Sequence, residues 1–154
     1  MIESFDLVIS DASTLTDWSW AAARGDVETA VRLLRGHKMT TSQSLYDEIA
    51  AALQFPYYFG ENLDALDECL RDLPEWLPAS GYLLIIRDAV AVLSEATDPA
   101  RALGTFLGLL ARVRADWGTT TPFAITLHAT PDDAPRLRAR LAAAGTTFRE
   151  RALM

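Results

Sequence analysis

The hydrophobic positions of this chain follow two periods, of about two and about 3.6 residues, which alternate along the sequence. The shorter period, or a short apolar run, predicts strands at residues 5–9, 29–34, 81–87, 123–127 and 146–149. The longer period predicts helices at residues 42–53, 61–72, 99–117 and 132–144. Strands that alternate with helices indicate an α/β fold with a mostly parallel sheet and right-handed crossovers.

Three of these segments carry more specific expectations. The run 81–87 is apolar at successive positions, which predicts a central strand buried on both faces, and 29–34 also reads as a buried strand. Together with 123–127 they predict a core of about three parallel strands, to which the terminal strands are added. Residues 11–25 give no clear pattern, although Trp18 and Trp20 share a strand-like spacing.

The helix predicted at residues 61–72 is sharply amphipathic. Its apolar positions fall within an arc of about 80°: Leu63, Leu66, Leu70 and Leu73. The opposite arc carries the acidic positions, with Arg71 among them: Glu61, Asp64, Asp67, Glu68 and Asp72. We therefore expect a helix held by its core face whose exposed carboxylates are free to bind.

The negative charge of the chain is local. The formal net charge is −7, and the segment between Tyr46 and Trp76 contains eight acidic residues against Arg71 alone. Because that segment accounts for the whole net charge, the rest of the chain sums to zero. A concentrated negative field attracts cationic surfaces and repels nucleic acid, although such a face can also serve solubility alone.

Length and composition favour one globular domain spanning residues 1–154, with half of its residues hydrophobic. The apolar runs are too short for a membrane span, and no basic segment precedes an apolar stretch at the N-terminus. Cys69 is the single cysteine, which excludes an internal disulfide and suits a small core residue in a reducing compartment. The expected location is cytoplasmic.

Enzymatic signatures are sparse. The histidines, His37 and His128, are remote from Cys69 in sequence, and the chain has no nucleophile elbow or phosphate-binding glycine loop. Asp64 and Glu68, one helical turn apart, could form an acid–base pair or a metal site, although a convex solvated helix offers no cleft. This hydrolase or metal site remains an alternative; the arginines near the C-terminus are largely neutralised by neighbouring acids and indicate no nucleic-acid site.

The segment 56–70 also carries a longer motif. Its positions are Pro56, the aromatic pair Tyr58 and Phe59, Gly60, Glu61, Asn62, Leu63, Asp64, Ala65, Leu66, Cys69 and Leu70. This motif resembles the signature of the barstar family, intracellular inhibitors of barnase-type microbial ribonucleases. Weaker similarity extends over about residues 29–127, which leaves an extension at each end.

The resemblance implies a barstar-like α/β fold and a ribonuclease inhibitor, or immunity protein, that has no catalytic residue, cofactor or metal. In such inhibitors the acidic helix and the aromatic loop before it occlude a cationic active site, with carboxylates replacing RNA phosphates. Carried over by position, Tyr58 would pack near the catalytic histidine, Asn62 would contact the partner's backbone, and Asp64 and Glu68 would meet its cations. The implied partner-binding set is Tyr58, Phe59, Gly60, Asn62, Asp64, Asp67 and Glu68.

This chain departs from the family at three positions. Glu68 replaces an aspartate and is one methylene longer, and Asp67 replaces a surface tryptophan. A glutamate of the family's later helix falls near Arg112, where Asp116 is the acid available. If Arg112 faces the partner, it repels an RNA-binding surface, so we expect a related ribonuclease rather than barnase itself. The alternative within the same fold is a non-ribonuclease toxin or a regulatory partner.

Overall fold

The computed structural model describes residues 5–25 and 27–153, in which strands and helices alternate. The strands are β1 (Phe5–Ile9), β2 (Thr29–Arg35), β3 (Gly81–Arg87), β4 (Phe123–Ala129) and β5 (Phe148–Glu150). The helices are α1 (Ala12–Gly25), α2 (Ser42–Leu53), α3 (Leu63–Arg71), α4 (Pro99–Trp117) and α5 (Ala134–Ala143). No helix in this described part is both long and apolar enough to cross a membrane.

The strands form one sheet in the order β2-β3-β4-β1-β5, and every pairing is parallel. The predicted α/β class is confirmed, and so is the core of three strands, because β2, β3 and β4 are consecutive. The two terminal strands extend that core, as predicted. Both lie on its β4 side, with β1 inserted between β4 and β5.

The hydrophobic core lies mainly on one side of the sheet. Tyr82, Leu84 and Ile86 of β3 join the large cluster beneath helices α2 to α5, whereas Ile85 points into a small cluster with Val8 and Leu15 of α1. Burial on both faces confirms the prediction that β3 is central. The large cluster is the base on which α3 rests.

Two elements differ from what the sequence pattern indicated. Strand β2 is an edge strand, and most of its residues are only half-buried, because no further strand covers its outer side. Residues 12–25 form a helix: Trp18 packs on the small cluster and Trp20 is 60% exposed. Residues two apart lie about 200° apart on a helix, so that spacing placed the two rings on different sides.

An ion pair between the exposed Arg35 and the buried Glu48 joins α2 to the edge strand. The carboxylate of Glu48, 8% exposed, accepts hydrogen bonds from the backbone N, Nε and Nη2 of Arg35 at 2.9, 2.9 and 2.8 Å. These hydrogen bonds lower the pKa of Glu48. One of the eight clustered acids is therefore structural and contributes little to the surface field.

Replacing Glu48 with alanine is expected to lower the free energy of unfolding by about 2 kcal/mol, because charged hydrogen bonds contribute about 1.5–3 kcal/mol. Urea denaturation measures this change. The matched control is Asp47→Ala, which removes an exposed carboxylate from the same helix and should change stability by less than about 0.5 kcal/mol. Equal effects of the two substitutions would contradict the assignment.

A buried histidine ties together the ends of three neighbouring strands. The backbone N–H of Asp88, after β3, donates to His128 Nδ1 at 3.2 Å, so Nε2 carries the proton and donates to the Ser10 carbonyl, after β1, at 2.9 Å. His128 is fully buried, and burial lowers its pKa from the ordinary value of 6.5. The folded protein therefore holds this ring neutral.

Stability is accordingly expected to fall with acidity. Because the folded-state pKa of His128 is depressed, the unfolded chain binds the proton first, and the free energy of unfolding should drop by about 1 kcal/mol between about pH 7.5 and pH 5.5. Denaturation curves at the two pH values measure this, and His128→Gln should flatten the dependence. An unchanged slope in that variant would rule out His128 as its source.

Candidate functional site

The loop between α2 and α3 is anchored by a cluster of aromatic rings in edge-to-face contact. Phe59 meets Phe55 and Tyr46 edge-on, with ring centroids 5.0 and 6.0 Å apart, and Phe55 continues to Trp76 at 6.1 Å. The Trp76 indole N–H donates to the Leu53 carbonyl at 3.1 Å, at the end of α2. These contacts hold the loop on the core, and Phe59 is one of its anchors.

The two tyrosines of the loop point outward. Tyr57 is fully exposed and Tyr58 is 61% exposed, and their rings meet edge-on at 5.9 Å. Partial desolvation raises the pKa of Tyr58, as do Cys69 and the nearby carboxylates of Glu75, Asp72 and Glu68. Tyr58 therefore stands beside the C-terminal half of α3 with its hydroxyl protonated.

A polar turn sets the start of α3. Asn62 caps the helix, because its side-chain oxygen accepts from the backbone N–H of Ala65 at 2.8 Å and its amide donates to the Gly60 carbonyl at 3.2 Å. Glu61 has a left-handed backbone with φ of 53° and accepts a hydrogen bond from Gln43 of α2 at 2.9 Å. These bonds fix the direction in which α3 leaves the loop.

Helix α3 has a buried side and, opposite it, an exposed acidic side. Leu66, Cys69 and Leu70 are buried, and burial raises the pKa of the Cys69 thiol, as do the nearby carboxylates of Asp72 and Glu68. Asp64 and Glu68 lie opposite that buried side and are exposed, with no ion-pair partner among the described residues. The expectation that their carboxylates are exposed is confirmed.

The apolar side of α3 is less complete than predicted. Leu63 is 38% exposed, because it lies at the first turn and lines an open groove of about 320 Å³ with Thr105 and Phe106 of α4. Leu66, Leu70 and Leu73 alone are fully buried members of the predicted arc. The helix is thus anchored through its second half.

The side of α3 that faces α4 is bound to it by an arginine between two carboxylates. Arg71 Nε lies 3.2 Å from both carboxylate oxygens of Asp67, and Arg71 Nη1 donates to Asp116 of α4 at 2.6 Å. These hydrogen bonds raise the pKa of Arg71. Asp67, predicted as a partner contact, is therefore already paired within the protein.

The structure thus separates the seven predicted site residues by role. Tyr58, Asp64 and Glu68 form an exposed surface, and Asp72 and Glu75 extend it toward the loop. We call these five residues the acidic surface. Phe59, Gly60, Asn62 and Asp67 instead make contacts that build or brace it. No sequence pattern indicates that Asp72 and Glu75 approach Tyr58, because that proximity depends on the folded loop.

Two other kinds of candidate site are a ligand site at the carboxyl edge of the sheet and a metal site. His128 fills the carboxyl edge of the sheet, where parallel α/β sheets generally bind ligands. Within residues 5–25 and 27–153, no group of three or more His, Cys, Asp or Glu side chains is placed to hold a metal ion. Asp64 and Glu68 are therefore two carboxylates without a third such ligand in this part of the chain.

Comparisons with known proteins give a family and a fold. The family model described as "Barstar (barnase inhibitor)" matches residues 29–149. A comparison with curated proteins gives no match. Among solved structures, the ORC2 protein of Aeropyrum pernix (ADPNP-ADP complexes) is 17% identical, with a TM-score of 0.64 over 99% of this chain and 42% of its own.

Cdc6p from Pyrobaculum aerophilum is 18% identical, with a TM-score of 0.60 over 96% of this chain and 38% of its own. The chain therefore spans less than half the length of either of these two proteins. At such identities the likeness shows a shared parallel α/β fold alone. The nucleotides in the ORC2 complexes belong to that protein.

Proposed function

The chain belongs to the barstar family, and from this premise we propose that it is a cytoplasmic inhibitor, or immunity protein, of a secreted microbial ribonuclease. The inhibitor would occlude the enzyme's cationic active site with α3 and the loop before it. One observation carries the proposal: Asp64 and Glu68 stand exposed and unpaired on one face of α3, beside the exposed ring of Tyr58.

The chemistry of RNA binding explains why this surface suits such a partner. A ribonuclease must hold phosphates with arginine, lysine and histidine side chains, and charge-assisted hydrogen bonds from these groups to carboxylates are strong. A carboxylate fixed on a helix replaces a phosphate without offering a bond to cleave. Inhibition then requires only binding, and no group on this protein needs to react.

The contacts within the protein favour a rigid surface. The aromatic anchors hold the loop, the Asn62 cap fixes the start of α3, and Arg71 braces its end against α4. A preorganised surface loses little entropy when it binds, which favours tight association. The buried free thiol of Cys69 agrees with the reducing compartment in which such an inhibitor protects its own cell.

Association is expected to depend strongly on salt. If the acidic surface steers encounter with a cationic enzyme, the association rate constant should fall at least tenfold between about 20 and 300 mM salt, with less change in dissociation. Stopped-flow mixing measures both. Asp67→Asn should slow association mildly, and Asp17→Asn, on the exposed side of α1, is the charge-matched control. If the association rate constant does not change with salt, the acidic surface does not steer binding and serves solubility alone.

Capture followed by an activity assay tests the proposed function. The immobilised protein is exposed to secreted microbial ribonucleases, and RNA cleavage by each retained enzyme is measured with and without added inhibitor. We expect one retained enzyme to lose its activity at a 1:1 molar ratio. Retention only of proteins without ribonuclease activity would favour the non-ribonuclease partner.

A further inference from the structure

One border of the acidic surface carries a cation, Arg112, that no group within residues 5–25 and 27–153 neutralises. One stripe along α4, which we call the seam, lies within an arc of about 60°. It consists of Thr105, Leu109, Arg112 and Asp116. Thr105 lines the groove shared with Leu63, at the start of α3, and Asp116 binds Arg71, at its end. The two helices therefore run side by side in the same direction, and this seam faces α3.

The position of Arg112 along the seam follows from helix geometry. It precedes Asp116 by four residues, or about 6 Å, and Asp67 precedes Arg71 by the same distance. Arg112 therefore lies level with Asp67, at the middle of α3. We call Asp67, Arg71, Arg112 and Asp116 the α4 border. Its two carboxylates and two guanidiniums sum to no net charge, in contrast to the acidic surface beside it.

Arg112 is free to meet a partner. Its side chain is exposed and has no ion pair or hydrogen bond among the described residues. The guanidinium folds back along α4, where Nη1 lies 3.7 Å from the position that a Cβ on Gly108 would occupy. Both carboxylates of the α4 border are already bound to Arg71, so neither holds Arg112.

Resting on the proposed function, we propose that Arg112 selects the partner. It disfavours a ribonuclease whose cationic surface continues across the α4 border, and it favours one that places a carboxylate there. Like charges brought together at an interface oppose binding, and a repulsive contact of this kind is a common source of specificity. The acidic surface supplies the attraction, and Arg112 restricts which cationic cleft can use it.

Purified barnase is the probe, because a ribonuclease that binds RNA through a basic cleft presents the surface that Arg112 should oppose. Association with barnase is compared for the wild-type protein, Arg112→Ala and Arg112→Glu at low salt. We expect about a tenfold faster association for Arg112→Ala and a larger gain for Arg112→Glu. Arg24→Glu, on α1 across the sheet, makes the same change in net charge and should alter the rate less than twofold.

A charge-swap series locates the contact. Exposed arginines and lysines of barnase are replaced singly by glutamate, and each variant is tested against the wild-type protein and Arg112→Glu. At least one replacement should favour the wild-type protein and remove the advantage of Arg112→Glu. The proposal is overturned if Arg112→Glu and Arg24→Glu behave alike, if no barnase replacement couples to Arg112, or if Arg112→Glu leaves barnase uninhibited.

The same series separates this inference from the proposed function. Adding Glu68→Ala to Arg112→Glu should abolish the gained inhibition of barnase. If the gain survives without Glu68, the proposed inhibitory surface is wrong. If instead Arg112 has no effect while Glu68 is required, the inhibitory surface stands and the selectivity role of Arg112 fails.

Discussion

Replacing Glu68 with alanine is expected to weaken inhibition of the partner ribonuclease by about thirtyfold to a few thousandfold, with most of the loss in faster dissociation. The carboxylate is exposed in the free protein and lies mid-helix on the outward side of α3. In the complex, its removal would leave the enzyme's buried cations unpaired, which costs about 2–5 kcal/mol. Barnase–barstar complexes are among the measured examples on which that range of energies is based, so the range is not an independent result for this protein.

The folded protein itself should tolerate the change. Glu68 has no ion-pair partner among the described residues, so Glu68→Ala should shift the free energy of unfolding by less than about 0.5 kcal/mol. Asp64→Ala should behave similarly with a smaller loss of inhibition, and Asp17→Ala provides a control of equal charge on α1. Surface plasmon resonance gives the rate constants. Dissociation as slow as that of the wild-type protein would remove Glu68 from the interface.

Replacing Tyr58 with alanine is expected to weaken inhibition by about thirtyfold or more, because an aromatic anchor at the centre of an interface contributes about 2 kcal/mol or more. The ring is 61% exposed and stands against the carboxylates of α3, so a partner that covers α3 also covers the ring. Titration of ribonuclease activity measures the change.

Its two neighbours are matched controls with different expected results. Tyr57→Ala removes a fully exposed ring and should change inhibition by only a fewfold. Phe59→Ala removes a half-buried anchor that contacts Phe55 and Tyr46, so it should chiefly lower stability. If all three substitutions affect inhibition equally at matched stability, Tyr58 has no special place in the interface.

The parts of the fold that the sequence predicted are those set by local chemistry. The apolar run of β3 could be buried only at the centre of a sheet, and the amphipathic stretch 61–72 contains α3. In contrast, the sequence pattern of α1 does not indicate a helix by itself. Few of its side chains are apolar and buried: Leu15 belongs to the small cluster against the sheet, and the partly buried Trp18 packs on it.

The site was predicted in outline and not in its internal pairing. Periodicity placed Asp64 and Glu68 on the outward side of α3, where the structure has them. Periodicity could not show that Glu48 forms an ion pair with Arg35. Nor could it show that Arg71 binds both Asp67 and Asp116, which is 45 residues further along the chain. Such pairs form between elements remote in sequence, so they follow from tertiary packing and have no local signature.

In the proposed mechanism, carboxylates on α3 occlude a ribonuclease active site. The most direct measurement is a titration of RNA cleavage by the captured ribonuclease, using the wild-type protein and the double variant Asp64→Ala/Glu68→Ala, with folding of both verified by denaturation. We predict that the wild-type protein abolishes cleavage at a 1:1 ratio and that the folded double variant leaves it essentially intact. Equal inhibition by the two proteins would contradict the mechanism, whatever the fold.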